Sequence, residues 1–140
     1  MSAPLPFKSL RYLYLGCSDV PRDLAWYVRV LGGQRLWHFD RFGAQVAAVR
    51  IAEGPVLLLA SHRPPGSCML IYDVDSLAAA SAALKARGWK PVAENIDIPG
   101  GPCSRFDDPS GNPLAIFEDR DPDKMTRAYA DPGNPSAVRA

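Results

Sequence analysis

Histidine is almost missing from this 140-residue chain, which has only His38 and His62. A metal centre built on several imidazoles, or an acid–base pair of two convergent histidines, therefore has little to draw on. His38 stands in "RLWHFD", alternates with Trp37 and Phe39, and so points away from those aromatics, toward solvent or a helix. His62 stands in the proline-containing "SHRPPG" and is expected to be exposed. Cysteine is scarce as well. Cys17, Cys68 and Cys103 are odd in number, far apart and without a CxxC pair, which argues against a disulfide framework and a zinc knuckle. They read as buried thiols. Cys103 follows "IPGGP" in an expected loop and is the one to test for reactivity, although no Lys or His stands beside it to lower its pKa. Excess charge is absent too: 16 Lys+Arg against 15 Asp+Glu leave +1, with no basic stripe or acidic block, so neither nucleic acid nor a membrane is indicated as a partner. No apolar run approaches the ~20 residues that cross a bilayer, and "MSAPLPFKSLRYLYL" lacks the apolar core of a secretion signal. A soluble, cytoplasmic protein with small-molecule or protein partners is expected.

The chain is long enough for one domain over residues 1–140. The segment "LRYLYLGC" alternates like a strand, with Leu13, Leu15 and Cys17 on one face and Tyr12, Tyr14 and Gly16 on the other. "SDVPRDLAWYVRVLGG" supplies Ser18 or Asp19 as N-cap, Pro21 in the first turn, apolar residues at helical spacing and a Gly-Gly stop. "QRLWHFD", "AQVAAVRI" and "PVLLLASH" then read as three strands joined by short glycine turns. The same order recurs in "CMLIYDV", "DSLAAASAALKARG", "WKPVAENIDI", "CSRFDD" and "PLAIFED". The fold class is thus α+β, two tandem βαβββ modules over residues 9–63 and 66–119, an internal repeat of about fifty residues. Val20 falls on Leu77, and Leu13, Leu15 and Cys17 fall on Leu70, Tyr72 and Val74. Residues 120–140 read as an extended C-terminal tail with one helical turn around "DKMTRAYA", either a mobile terminus or a segment that packs on a partner subunit.

Three stretches in this order, "SDVPRDLAWYVRVLGG", "VDSLAAASAALKARGW" and "DDPSGNPLAIFE", resemble the vicinal oxygen chelate superfamily of glyoxalases, bleomycin-resistance proteins and extradiol dioxygenases. The resemblance implies a curved mixed sheet around a concave cleft, and a homodimer. It also implies that metal-dependent members place His, Gln or Glu on the first and last strands of each module. Carried onto this chain, those positions are Tyr12, Met69, Ala115 and, with Pro55 matched to Pro113, Leu57. None supplies an imidazole or carboxylate, so the resemblance implies a member without the metal ligands and without a cofactor.

The aromatics are the more informative inventory. On the strand alternation, Tyr12, Tyr14, Trp37, Phe39, Leu57, Met69, Ile71, Phe106, Ala115 and Phe117 are the candidate cleft lining, a surface suited to a small, largely apolar or aromatic organic molecule. Metal-independent binding of such a molecule, as in bleomycin-resistance-type sequestering proteins, is the leading expectation. The alternative is a glyoxalase- or dioxygenase-like enzyme, either a lyase, isomerase or oxygenase using a metal through other ligands, or a metal-independent catalyst using Tyr14, Asp73 or Arg105. Asp73 is either a base or counter-charge in the cleft or a strand-end carboxylate. Arg105 either orients a polar ligand or forms a structural ion pair. Glu118 is out of phase with Ala115 and Phe117 and faces away.

Overall fold

The alternating first segment forms β1 (Leu10–Gly16), and the capped segment after it forms α1 (Val20–Arg29). The structure is a computed structural model and describes residues 5–139. Asp19 is the α1 cap: its carboxylate accepts from the Arg22 N–H at 3.0 Å, while Pro21 occupies the first turn, where a missing N–H costs nothing. A meander follows, β2 (Gln34–Arg41), β3 (Ala44–Arg50) and β4 (Val56–Ala60). The second unit repeats the order with β5 (Cys68–Asp73), α2 (Leu77–Lys85), β6 (Ala93–Ile98), β7 (Gly101–Asp107) and β8 (Pro113–Phe117). Ser76 caps α2 by accepting from the Ala79 N–H at 3.1 Å, and the Glu118 carboxylate accepts from the Leu77 N–H at 2.8 Å. Glu118 thus serves the helix on the outer face of the sheet.

The eight strands form one mixed sheet in the order β2-β3-β4-β1-β5-β8-β7-β6. Within each unit the first and last strands run parallel, β1 with β4 and β5 with β8. The two units join through antiparallel pairing of β1 with β5, which sets Tyr12 opposite Ile71 and Tyr14 opposite Met69. Alternation then sorts the side chains to two faces. Val20 and Leu24 of α1 pack on Ala47, Val49, Leu57 and Leu59, and Leu77 of α2 packs with Val74 and Ile116. The opposite, concave face carries Trp37, Ala48, Val56 and Leu58 in the first unit and Met69, Ile71, Cys103, Ala115 and Phe117 in the second, with Tyr12 and Tyr14 touching both groups.

The C-terminal segment packs on this chain's own sheet. It contains α3 (Lys124–Ala130), whose Met125 and Tyr129 lie on the concave face of the first unit. The Tyr129 and Phe39 rings meet edge to face at 5.6 Å. Beyond α3 the chain runs along β2: the Asp40 N–H donates to the Ser136 carbonyl at 2.8 Å, and the Val138 N–H donates to the His38 carbonyl at 2.8 Å. The Tyr129 hydroxyl ties the two parts together by donating to the Val138 carbonyl at 2.7 Å. No helix among the described residues is long and apolar enough to cross a membrane.

One glycine governs how the units are linked. A Cβ on Gly16 would stand 1.9 Å from the Pro64 carbonyl oxygen, and the Gly16 N–H donates to the Ser67 carbonyl at 3.0 Å. Any side chain here would push the linker between β4 and β5 off the end of β1. Gly16→Ala is therefore expected to lower stability by about 1–3 kcal/mol, the usual cost of overpacking. Urea unfolding checks it, and an unchanged midpoint would show that the linker yields freely.

Candidate functional site

Five side chains reach the middle of the concave face with no polar group to offer. From the central strands come Val56 and Leu58 of β4, Met69 and Ile71 of β5, and Ala115 of β8. Tyr12 and Tyr14 of β1 complete the row. Leu57 is not among them, because it packs beneath α1 beside Leu59. The constant offset that lays Val20 on Leu77 and Tyr12 on Met69 lays Leu58 on Ala115, so the proline match placed β4 one residue out of step. In a strand, one residue is a change of face. Phe106 is the second correction: it packs edge to face on Trp89 at 5.5 Å, on the α2 side.

The donor set at the family's metal-ligand positions is therefore Tyr12, Leu58, Met69 and Ala115. A phenol, two alkyl groups and a thioether do not fit a divalent metal there. Among the described residues, no three His, Cys, Asp or Glu side chains come together in a way that could hold a metal ion.

Much of the expected lining is closed to solvent. Met69, Ile71, Ala115 and Phe117 are at most 6% exposed and pack against Tyr12, Tyr14, Ile96 and Ile98. Phe39 lies under α3 and borders a cavity of about 280 Å³. The larger space on this face, about 500 Å³, opens at the other end of α3. Tyr12, Leu36, Trp37 and Val56 form its apolar wall, and Asp73, Arg11, Arg50 and Asp123 its charged rim. Among the sequence candidates, this cavity brings together Tyr12, Trp37 and Asp73.

Arg11, Arg50 and Asp123 were not legible as site residues. The β1–β5 register shifts between Leu10 and Tyr12, which marks a bulge at Arg11. The Arg11 guanidinium meets the Asp119 carboxylate at 3.0 Å. The Asp73 Oδ2 accepts from the Ser9 hydroxyl at 3.2 Å, while its Oδ1 is buried and lacks a hydrogen-bond partner among the described residues. Arg105 stands opposite Ala115 in the β7–β8 register and so shares the concave side. It forms no ion pair among the described residues and does not border the 500 Å³ cavity.

Tyr14 has a different partner. Its hydroxyl and His62 Nε2 are hydrogen-bonded at 2.9 Å, and the rings meet edge to face at 5.9 Å. His62 is exposed, yet the linker folds it onto β1, a contact that no periodicity announces. Burial pushes the Tyr14 hydroxyl above its usual range and pulls the His62 imidazole below its usual value, with Arg63 adding to the latter. Both shifts favour the neutral forms, so the pair is a neutral hydrogen bond that pins the linker.

His38 is 1% exposed on the α1 side, with Nε2 at 2.7 Å from Gln45 Oε1. Cys103 belongs to β7 rather than a loop and is buried, and burial raises its pKa. Burial pushes the Cys17 thiol up to about 11. Cys68 is the exposed one of the three. None of the three is activated.

A family model described as "Glyoxalase/Bleomycin resistance protein/Dioxygenase superfamily" matches residues 9–116. No curated relative matches the sequence significantly. Among solved structures, methylmalonyl-CoA epimerase from Mycobacterium tuberculosis superposes with a TM-score of 0.70 at 16% identity, over 84% of this chain and 91% of that one. A hypothetical protein from Bacillus halodurans C-125 gives 0.67 at 18% identity, over 80% and 94%. A Streptomyces coelicolor methylmalonyl-CoA epimerase variant in complex with 2-nitronate-propionyl-CoA gives 0.65 at 12% identity, over 79% and 96%. At these identities the likeness is one of fold.

The His62 shift has a sign that can be tested. The unfolded chain takes up this proton near the ordinary value of 6.5, and the folded chain only at lower pH. Stability is thus free of the penalty above that value and falls as the pH drops through it. His62→Gln keeps a hydrogen-bonding group near Tyr14 and removes the titration. Urea midpoints between pH 7.5 and 5 should fall more steeply in the parent than in the variant. Parallel profiles would show that His62 titrates freely.

Proposed function

The chain belongs to the Glyoxalase/Bleomycin resistance protein/Dioxygenase superfamily, and we propose that it binds a small, largely apolar or aromatic organic molecule without a metal. The observation that carries this reading is the cavity of about 500 Å³ walled by Tyr12, Leu36, Trp37 and Val56. It lies within the size range of small-molecule sites and combines an apolar wall with a few polar groups at one end. The family's metal-ligand positions beside it carry apolar and phenolic side chains, so capture by shape and stacking is the chemistry available. An enzymatic alternative would have to run through Asp73, the carboxylate that borders this space on the sheet itself. The working assembly in this reading is a homodimer, as the family resemblance implies.

Thr126 is exposed on α3 and borders the cavity, so Thr126→Trp should fill the space without disturbing the core. The neutral fluorescent probe N-phenyl-1-naphthylamine is expected to bind the parent protein, with enhanced emission excited through Trp37. The variant should lose this binding and keep its melting temperature. Native mass spectrometry of protein purified without chelators should show a dimer, free of metal, with any co-purified organic adduct on it. One metal per chain, or probe binding that survives in Thr126→Trp, would overturn the reading.

A further inference from the structure

The proposed cavity has charges of its own, and most of those around it are already paired. Arg11 meets Asp119 at 3.0 Å, Lys8 meets Asp75 at 3.0 Å out in solvent, and Arg127 on α3 is paired with Asp121. Three charged groups that border the cavity form no ion pair among the described residues: Asp73, Asp123 and Arg50. Arg50 and Asp123 are exposed. Asp73 differs, because its Oδ1 is buried and without a hydrogen-bond donor among the described residues.

A carboxylate oxygen withdrawn from water with no donor is a substantial cost, and a donor supplied by a ligand relieves it. Asp73 follows Ile71 on the concave side of β5, and Ile71 stands directly opposite Tyr12. Asp73 therefore borders the same cavity as the aromatic wall formed by Tyr12 and Trp37. An aromatic face beside a carboxylate favours a positively charged guest twice over, through the ring quadrupole and through a charge-assisted hydrogen bond. The charged residues on the rim, Arg11 and Arg50 against Asp73 and Asp123, balance, so the preference rests on the Asp73 carboxylate beside the aromatic face and not on net charge. A metal cation is not the guest these groups describe, since no three ligand side chains converge there.

Resting on the small-molecule reading above, we propose that this cavity selects organic amines in their protonated form. The ammonium N–H donates to the Asp73 carboxylate, and the apolar or aromatic body lies on Tyr12 and Trp37.

Calorimetric titration at pH 7 with three probes of matched shape tests this: 2-naphthylmethylamine, 2-(methoxymethyl)naphthalene and 2-naphthoate. The amine is expected to bind about tenfold or more tightly than the neutral ether, the gain of a charge-assisted hydrogen bond, and the carboxylate most weakly. Asp73→Asn should bring the amine down to the affinity of the ether. Equal binding of amine and ether, tighter binding of the carboxylate, or a preference that survives in Asp73→Asn would overturn the amine selectivity. The small-molecule site would still stand in those cases. Binding of none of the three, together with failure of the naphthylamine probe, would sink both. The comparison within the parent protein decides the matter even if the Asp73 variant folds poorly.

Discussion

The antiparallel pairing of β1 with β5 is the contact on which the rest of the molecule depends. Each βαβββ unit alone would leave its first strand with one unpaired edge, since the other edge is taken by the parallel partner β4 or β8. Joining the two edges makes one sheet of eight strands and sets both helices on the same face. It also decides what meets what on the other face. Tyr12 and Tyr14, central in the sheet, touch the apolar groups of both units, so a change of register by one residue would turn both phenols into the α1 core.

That dependence explains what could and could not be read from the sequence. Element order, the two helix caps and the repeat were legible because they are local: Asp19 and Ser76 act on N–H groups within the next three residues. Strand alternation was equally local and put Tyr12, Tyr14, Met69 and Ile71 on the inner face. Two errors came where alternation had to be anchored across a gap. Pro113 lies inside β8 whereas Pro55 precedes β4, so matching the two prolines points to Leu57 where the structure puts Leu58. Phe106 was assigned by being aromatic, when its contact with Trp89 is what fixes its face.

The site was less legible than the fold because its parts are set by long-range contacts. Asp73 and Tyr12 lie in different units, Arg50 ends β3, and Asp123 precedes α3. No spacing within any one segment foretells that these share a cavity. The contact of His62 with Tyr14 is of the same kind, since it needs the linker to close over Gly16, where a side chain would clash with Pro64. Cys103 shows the converse: the Gly-Gly-Pro stretch that reads as a loop is a turn only as far as Gly100, and β7 already starts at Gly101 and buries the thiol.

The position of the cavity follows from the scarcity of polar groups at the centre of the concave face. With Leu58, Met69 and Ala115 in place of metal ligands, that surface has almost nothing with which to hold water, and exposed apolar area is unfavourable. A concavity of this kind must be filled or covered, and here both happen. In the second unit Phe117, Ile96 and Ile98 pack the space, and in the first Met125 and Tyr129 descend from the C-terminal segment. Such filling stops where polar groups begin. At the strand ends Ser9, Arg11 and Asp73 cannot be buried under an apolar roof without partners, and the chain leaves them beside a space of about 500 Å³. The open space thus lies at the rim of the sheet and not at its centre, bordered by Tyr12, Trp37 and Asp73, and it is this rim that the proposed function uses.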